Sequence, residues 1–104
     1  MEKVIKDGKV AVLVSEGFGA GWYSWNIEHQ ELLFHPKVVE MVEQKRQKEI
    51  DDEWVKENLG IDYVYCGGSS DLKIFWLPIG TDFEIFEYDG HESLITIENL
   101  TLKA

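Results

Sequence analysis

The chain has 104 residues and 44% hydrophobic content, the size and composition of a single globular domain spanning 1–104 rather than a disordered chain. Twenty acidic residues face ten basic ones, and the net charge of −10 sets the average field against direct nucleic-acid binding. No apolar run approaches the ~20 residues of a membrane span, and the opening "MEKVIKDGK" lacks the apolar core of a signal peptide, so no membrane association is expected.

In chain order, "KVAVLVSE" (9–16) carries a continuous valine-rich run and reads as a strand buried on both faces. A loop rich in glycine and aromatics follows, within "VSEGFGAGWYSWN" (14–26). "EHQELLFHP" (28–36) fits a short strand or one helical turn equally well. Pro36 suits the first position of a helix, where its missing N–H costs nothing. Val38, Val39 and Val42 then form a helical stripe with Met41 at its edge. The stripe lapses over "EQKRQKE" (43–49) and resumes at Ile50, Trp54, Val55 and Leu59, with Gly60 as a stop. This predicts one long helix, or two with a break near 46–50. The acidic run "EIDDE" (49–53) suits the start of a second helix.

After Gly60 the hydrophobic period changes to 2, predicting strands at 61–66, 72–78, 82–89 and 93–99. "GGSSD", "PIGTD" and "YDGHE" are the turns. Short connections between the last three strands predict an antiparallel meander running into an extended tail. In "DFEIFEYD" the alternation sends Phe83, Ile85 and Glu87 to one face and Glu84, Phe86 and Tyr88 to the other. The expected fold class is α+β: a buried N-terminal strand, a Gly/aromatic loop, one or two helices, then a small antiparallel sheet.

The loop is the main candidate site. "GFGAG" after a buried strand has the spacing G-x-G-x-G, not G-x-G-x-x-G, and it lacks the Lys-Ser or Lys-Thr of a phosphate loop. Its glycines still let a ligand approach backbone N–H groups closely, although a tight turn would use them too. Trp22, Tyr23 and Trp25 offer flat faces for stacking a base, and their spacing prevents all three from facing one core. The predicted ligand-binding set is Gly17, Phe18, Gly19, Gly21, Trp22, Tyr23 and Trp25, with Arg46, the one arginine, as a cation; Lys37 and Lys73 are further cation candidates. If Trp22 and Trp25 are both core, the loop is only a turn.

Other chemistry is thin. His29 and His35 are six apart, which is not the spacing of a helical metal pair, so no metal is expected. Cys66 is the sole cysteine, which excludes an intrachain disulfide and a cysteine-based zinc site. It reads as a small buried thiol of a protein in a reducing cytoplasm. Ser69, Ser70 and Asp71 read as turn residues. No nucleophile, base and oxyanion set converges, so neither an enzyme nor a cofactor is expected.

"VAVLVSEGFGAGWYSWN", "ELLFHPKVVEMV" and "GTDFEIFEYDGHESLITIENLTLKA" together resemble a group of small proteins from bacteriophages and prophages. The most specific element is the strand followed by G-x-G-A-G-W-x-x-W. The resemblance implies anti-defence proteins acting in the host-cell cytoplasm, and it carries no catalytic residues. Two modes follow from it. One is a non-enzymatic ligand-binding protein, a homo-oligomer that sequesters a nucleotide-like immune signal. The other is an acidic interaction module or decoy that blocks a basic, nucleic-acid-binding host protein. Four tryptophans in so small a chain also favour a homo-oligomer, since surplus aromatics often cover interfaces.

Overall fold

The computed structural model describes residues 2–96, and these form an α+β arrangement around one central strand. β1 (Ile5–Lys6) and β2 (Lys9–Ser15) make a hairpin through Asp7 and Gly8, both with positive φ, a tight-turn geometry that suits the right-handed twist of strands. β2 pairs on its other side with β3 (Leu72–Pro78), antiparallel from Lys9↔Pro78 to Ser15↔Leu72. The sheet order β1-β2-β3 therefore puts the valine-rich run in the middle.

Every residue from Ala11 to Ser15 is buried, as the run predicts, because both faces of β2 are covered. Ala11 and Leu13 face the helices, in a core with Trp22, Leu32, Val38, Val39 and Val55. Val12 and Val14 face the opposite way, packing with Leu33, Phe75, Phe83, Ile85 and Leu94.

The helical segment is two helices with a break. α1 (Pro36–Glu43) starts at Pro36, with the His35 ring accepting the Lys37 N–H at 3.1 Å. It ends with Lys45 in the left-handed region (φ 58°), Lys45 N–H donating to Val42 and Arg46 N–H to Met41. This is the terminator usually built on glycine. α2 (Asp52–Leu59) opens with Asp51 accepting the Trp54 N–H at 2.8 Å, has Asp52 and Glu53 in its first turn, and stops at Gly60. The acidic run thus sits where the helix dipole favours it. Met41 is buried and Val42 only partly so, which places the centre of the α1 stripe nearer Met41 than the pattern predicts. The ambiguous 28–36 stretch holds a 3₁₀ turn, Gln30–Leu33.

Two sequence expectations fail. Residues 61–66 are not a strand: Tyr63 is in the left-handed region (φ 61°), and Asn26 clips Tyr65 by accepting its N–H at 2.8 Å and donating to its carbonyl at 2.9 Å. A side chain takes the place of a neighbouring strand there. The last three strands are also not a meander. β3 belongs to the first sheet, while β4 (Phe83–Tyr88) and β5 (His91–Thr96) form a separate two-stranded hairpin. The physical reason is the second apolar face of β2, which the hairpin covers with Phe83, Ile85 and Leu94. The predicted last strand is described as far as Thr96; its remainder and the extended tail lie outside the described residues.

Candidate functional site

The glycine-aromatic loop is organised by a residue outside it. Glu92, on β5, is 1% exposed. One carboxylate oxygen accepts the Ser15 N–H at 2.8 Å; the other accepts the N–H groups of Trp22 at 2.8 Å and Ser24 at 2.9 Å, and the Ser24 hydroxyl at 2.6 Å. A buried carboxylate is tolerable when charge-assisted hydrogen bonds replace its water, and four donors do so here. The loop does present backbone donors, as glycine-rich sequence implies, but an internal anion already occupies those of Trp22 and Ser24.

The glycines make this clamp possible through close approach. A Cβ on Gly21 would overlap the Ser24 hydroxyl, and one on Gly90 would overlap the Ala20 backbone. Gly19 donates its N–H to the Asp89 carbonyl at 2.6 Å, tying the loop to the hairpin turn. Gly17 lines a shallow depression of about 300 Å³ with Glu16, Asp71 and Lys73.

The three rings part company, as their spacing requires. Trp22 is 0% exposed and donates its indole N–H to the Leu32 carbonyl at 2.8 Å. It is core, with no face free to stack a ligand, which corrects its place in the predicted set. Tyr23 is half-buried beside a groove of about 450 Å³ lined also by Ile27, Leu33, Phe83 and Ile85. Trp25 is 40% exposed and tilts against Tyr65, ring centroids 4.9 Å apart. Phe18 is 70% exposed and stacks on His91 at 4.9 Å, while the His91 ring contacts the Glu16 carbonyl.

The candidate cations do not join the loop as a set. Arg46 makes two bonds to Glu49, at 2.8 and 2.9 Å, and lines a different depression with Lys37, Trp54 and Asn58. Its guanidinium is held above its usual pKa by the hydrogen bond to Glu49. Lys37 donates to the Asn58 carbonyl, and Lys73 lies 3.2 Å from Glu16. His35 is held below its usual pKa, first by burial and then by the Lys37 charge. Glu92 and Asn26, which hold the loop together, escape sequence reasoning. Their signal was faint: a glutamate in the inward register of β5, and an asparagine closing an aromatic cluster.

A larger groove, about 570 Å³, lies at the start of α2 between Asp51, Asp52 and Glu53 and the Tyr65–Gly67 segment. No lysine, arginine or histidine lines it. Cys66 lies in this groove, and its thiol is pushed up to about 12, first by burial, then by the hydrogen bond and charge of Asp52. The thiol is therefore protonated at neutral pH and is no ready nucleophile.

The hairpin presents a second acidic and aromatic surface. Its inner register carries Phe83, Ile85 and Leu94, and its outer face carries Glu84, Phe86 and Tyr88 opposite Ile95, Ser93 and His91. Tyr88 is 79% exposed and Phe86 45%. Asp82, Glu84, Glu87 and Asp89 are exposed, and no lysine or arginine occurs from Ile74 to Thr96.

Among the described residues no cluster of His, Cys, Asp and Glu is arranged to hold a metal, and no helix is long and apolar enough to cross a membrane. No buried side-chain nitrogen or oxygen among them lacks a hydrogen-bond partner. No protein-family model, no curated protein and no solved structure matches this chain.

Proposed function

We propose that this chain is an acidic protein-interaction module that docks on a basic, nucleic-acid-binding protein. The observation that carries the reading is the hairpin's outward face: exposed Phe86 and Tyr88 beside Glu84, with exposed Asp82 and Asp89 at the ends of the strand and no lysine or arginine from Ile74 to Thr96. Aromatic rings supply contact area and cation–π faces, and a one-signed rim steers and selects an oppositely charged partner. The groove at the start of α2 has the same character, with carboxylates against Tyr65 and no cation. The resemblance to phage proteins fits such a module acting as a decoy.

The test is binding of a fluorescent polylysine across salt. Affinity is expected to fall steeply as the Debye length shrinks from ~30 Å at 0.01 M to ~8 Å at 0.15 M. An Asp82→Lys/Glu84→Lys double variant should weaken binding more than Glu2→Lys/Glu57→Lys, which changes net charge equally at exposed positions away from the hairpin and from the α2 groove. Salt-independent binding, or no binding, would sink the reading.

A second reading is a homo-oligomer that captures a nucleotide-like molecule. It draws on one observation, that Phe18, Tyr23 and Trp25 keep partly exposed rings. A thermal-shift screen of nucleotides tests it, since a ligand of the native state raises stability by RT ln(1 + [L]/Kd).

A further inference from the structure

We infer that the outer edge of β4 takes an extended, basic segment of a partner protein as an added antiparallel strand, with its apolar side chains seated beside Tyr23, Ile27 and Leu33. This rests on the basic-partner reading and specifies its mode.

Among the described residues β4 pairs with β5 alone. The Asp89-Gly90 turn, with φ of 50° and 83°, is the two-residue hairpin type in which the flanking residues, Tyr88 and His91, form a hydrogen-bonded pair. Alternation along an antiparallel ladder then points the backbone N–H and C=O groups of Glu84 and Phe86 toward β5. Those of Phe83, Ile85 and Glu87 point away from it. No turn or loop hydrogen bond among the described residues reaches these outward groups.

Sheet edges are usually guarded by lysine, proline or a bulge. β4 has none of these three: it is "FEIFEY", it pairs one to one with β5 over its whole length, and its only charges, Glu84 and Glu87, guard the edge against an acidic strand but not against a basic one. The groove of about 450 Å³ lies beside this strand, between Phe83 and Ile85 and the Tyr23–Leu33 stretch. An incoming strand would therefore meet both backbone hydrogen bonds and a groove in which Tyr23, Ile27, Leu33, Phe83 and Ile85 offer apolar contact and Gln30 and Glu84 polar contact, the two components of strand-addition recognition.

Charge decides the occupant. In an added strand, alternate side chains enter the trough and the others stand on the outer face beside Glu84, Phe86 and Tyr88. Basic residues at those outer positions would pair with Glu84 and lie against the rings. A second copy of β4 would instead bring two more carboxylates and no lysine or arginine to this edge, leaving Glu84 without an opposite charge. The preferred segment alternates apolar and basic residues.

The probe is a short peptide alternating lysine and valine, read by fluorescence anisotropy against the full chain. In the antiparallel arrangement the valine N–H groups bond to β4 and the lysine N–H groups point outward. N-methylation of the valines should weaken binding about tenfold or more, equivalent to about 1.4 kcal/mol. N-methylation of the lysines should change it less than about threefold, about 0.65 kcal/mol. Glu84→Lys should weaken the parent peptide. Equal binding of the two methylated peptides, or weakening by lysine methylation alone, overturns strand addition. If polylysine binds with the expected salt dependence while the methylated peptides bind alike, the basic-partner reading stands and the β4 edge falls; if no basic ligand binds, both fall.

Discussion

The glycine-aromatic loop and the β4–β5 hairpin are built from the same materials, namely glycine, aromatic rings and carboxylates, and use them in opposite ways. In the loop, Trp22 is fully buried and the carboxylate that matters, Glu92, is sealed against amide donors. On the hairpin's outer face, Tyr88 and Phe86 are exposed and Glu84 stands in solvent. Composition alone makes the loop look like the site and the hairpin look like scaffold. The hydrogen bonds reverse those roles, because a donor already engaged with Glu92 has nothing to offer a ligand. The two regions are also one device: Glu92 belongs to the hairpin, and its carboxylate docks the hairpin onto the loop.

The largest expected effect breaks the loop side. Trp22→Ala should cost ~3–5 kcal/mol, the usual range for truncating a buried aromatic ring. Urea denaturation measures it; a loss under about 1 kcal/mol, below the typical single-mutation cost, would mean the ring is not core. Glu92→Gln comes next. An amide replaces one acceptor oxygen with a donor that faces N–H groups, and about 2–3 kcal/mol should be lost, in line with hydrogen bonds to charged groups. The same denaturation series checks it, and a neutral result would remove the clamp.

Gly90→Ala probes the joint between the regions. Its φ is +83° and its Cβ would overlap the Ala20 backbone, which cannot swing away as a side chain can. About 1–3 kcal/mol is expected from overpacking. Gly17→Ala should cost less, since the nearest atoms its Cβ would meet belong to the exposed Asp71 side chain, which must shift to make room.

A smaller, pH-dependent effect comes from Cys66. Its thiol is held near 12 in the fold by burial and by Asp52, above the ~8.5 of a free thiol. The unfolded chain therefore loses its thiol proton first. The contribution to stability is complete below about 8.5 and declines as pH rises from there toward 12. Native alkylation at pH 8 should be slower than alkylation in urea; equal rates would contradict the raised thiol.

Smallest of all, Tyr88→Ala should leave stability within about 0.5 kcal/mol, as for other exposed positions. Its effect should appear only in polylysine binding. A large loss of stability would place that ring in the fold and leave the hairpin face without its contrast to the loop.

The sequence by itself determined the elements whose cause is local. The valine run from Val10 to Val14 makes a strand anywhere it can bury both faces. Pro36, the Asp51 cap and Gly60 bound the helices, and Asp89-Gly90 closes a hairpin, because each acts within a few residues of itself. It also foretold that Trp22, Tyr23 and Trp25 would diverge, which is a matter of angular spacing. Only the tertiary structure decided what those elements meet. Residues 61–66 alternate as a strand would, yet Asn26 satisfies the backbone at Tyr65 and no strand partner is needed. The hairpin leaves the meander because the far face of β2 must be covered. Above all, Glu92 and the loop lie 77 and 70 positions apart at Ser15 and Trp22. A hydrogen bond's strength depends on distance in space and not along the chain, so no local pattern in "GFGAGW" could reveal that the Gly19 and Trp22 donors were already taken.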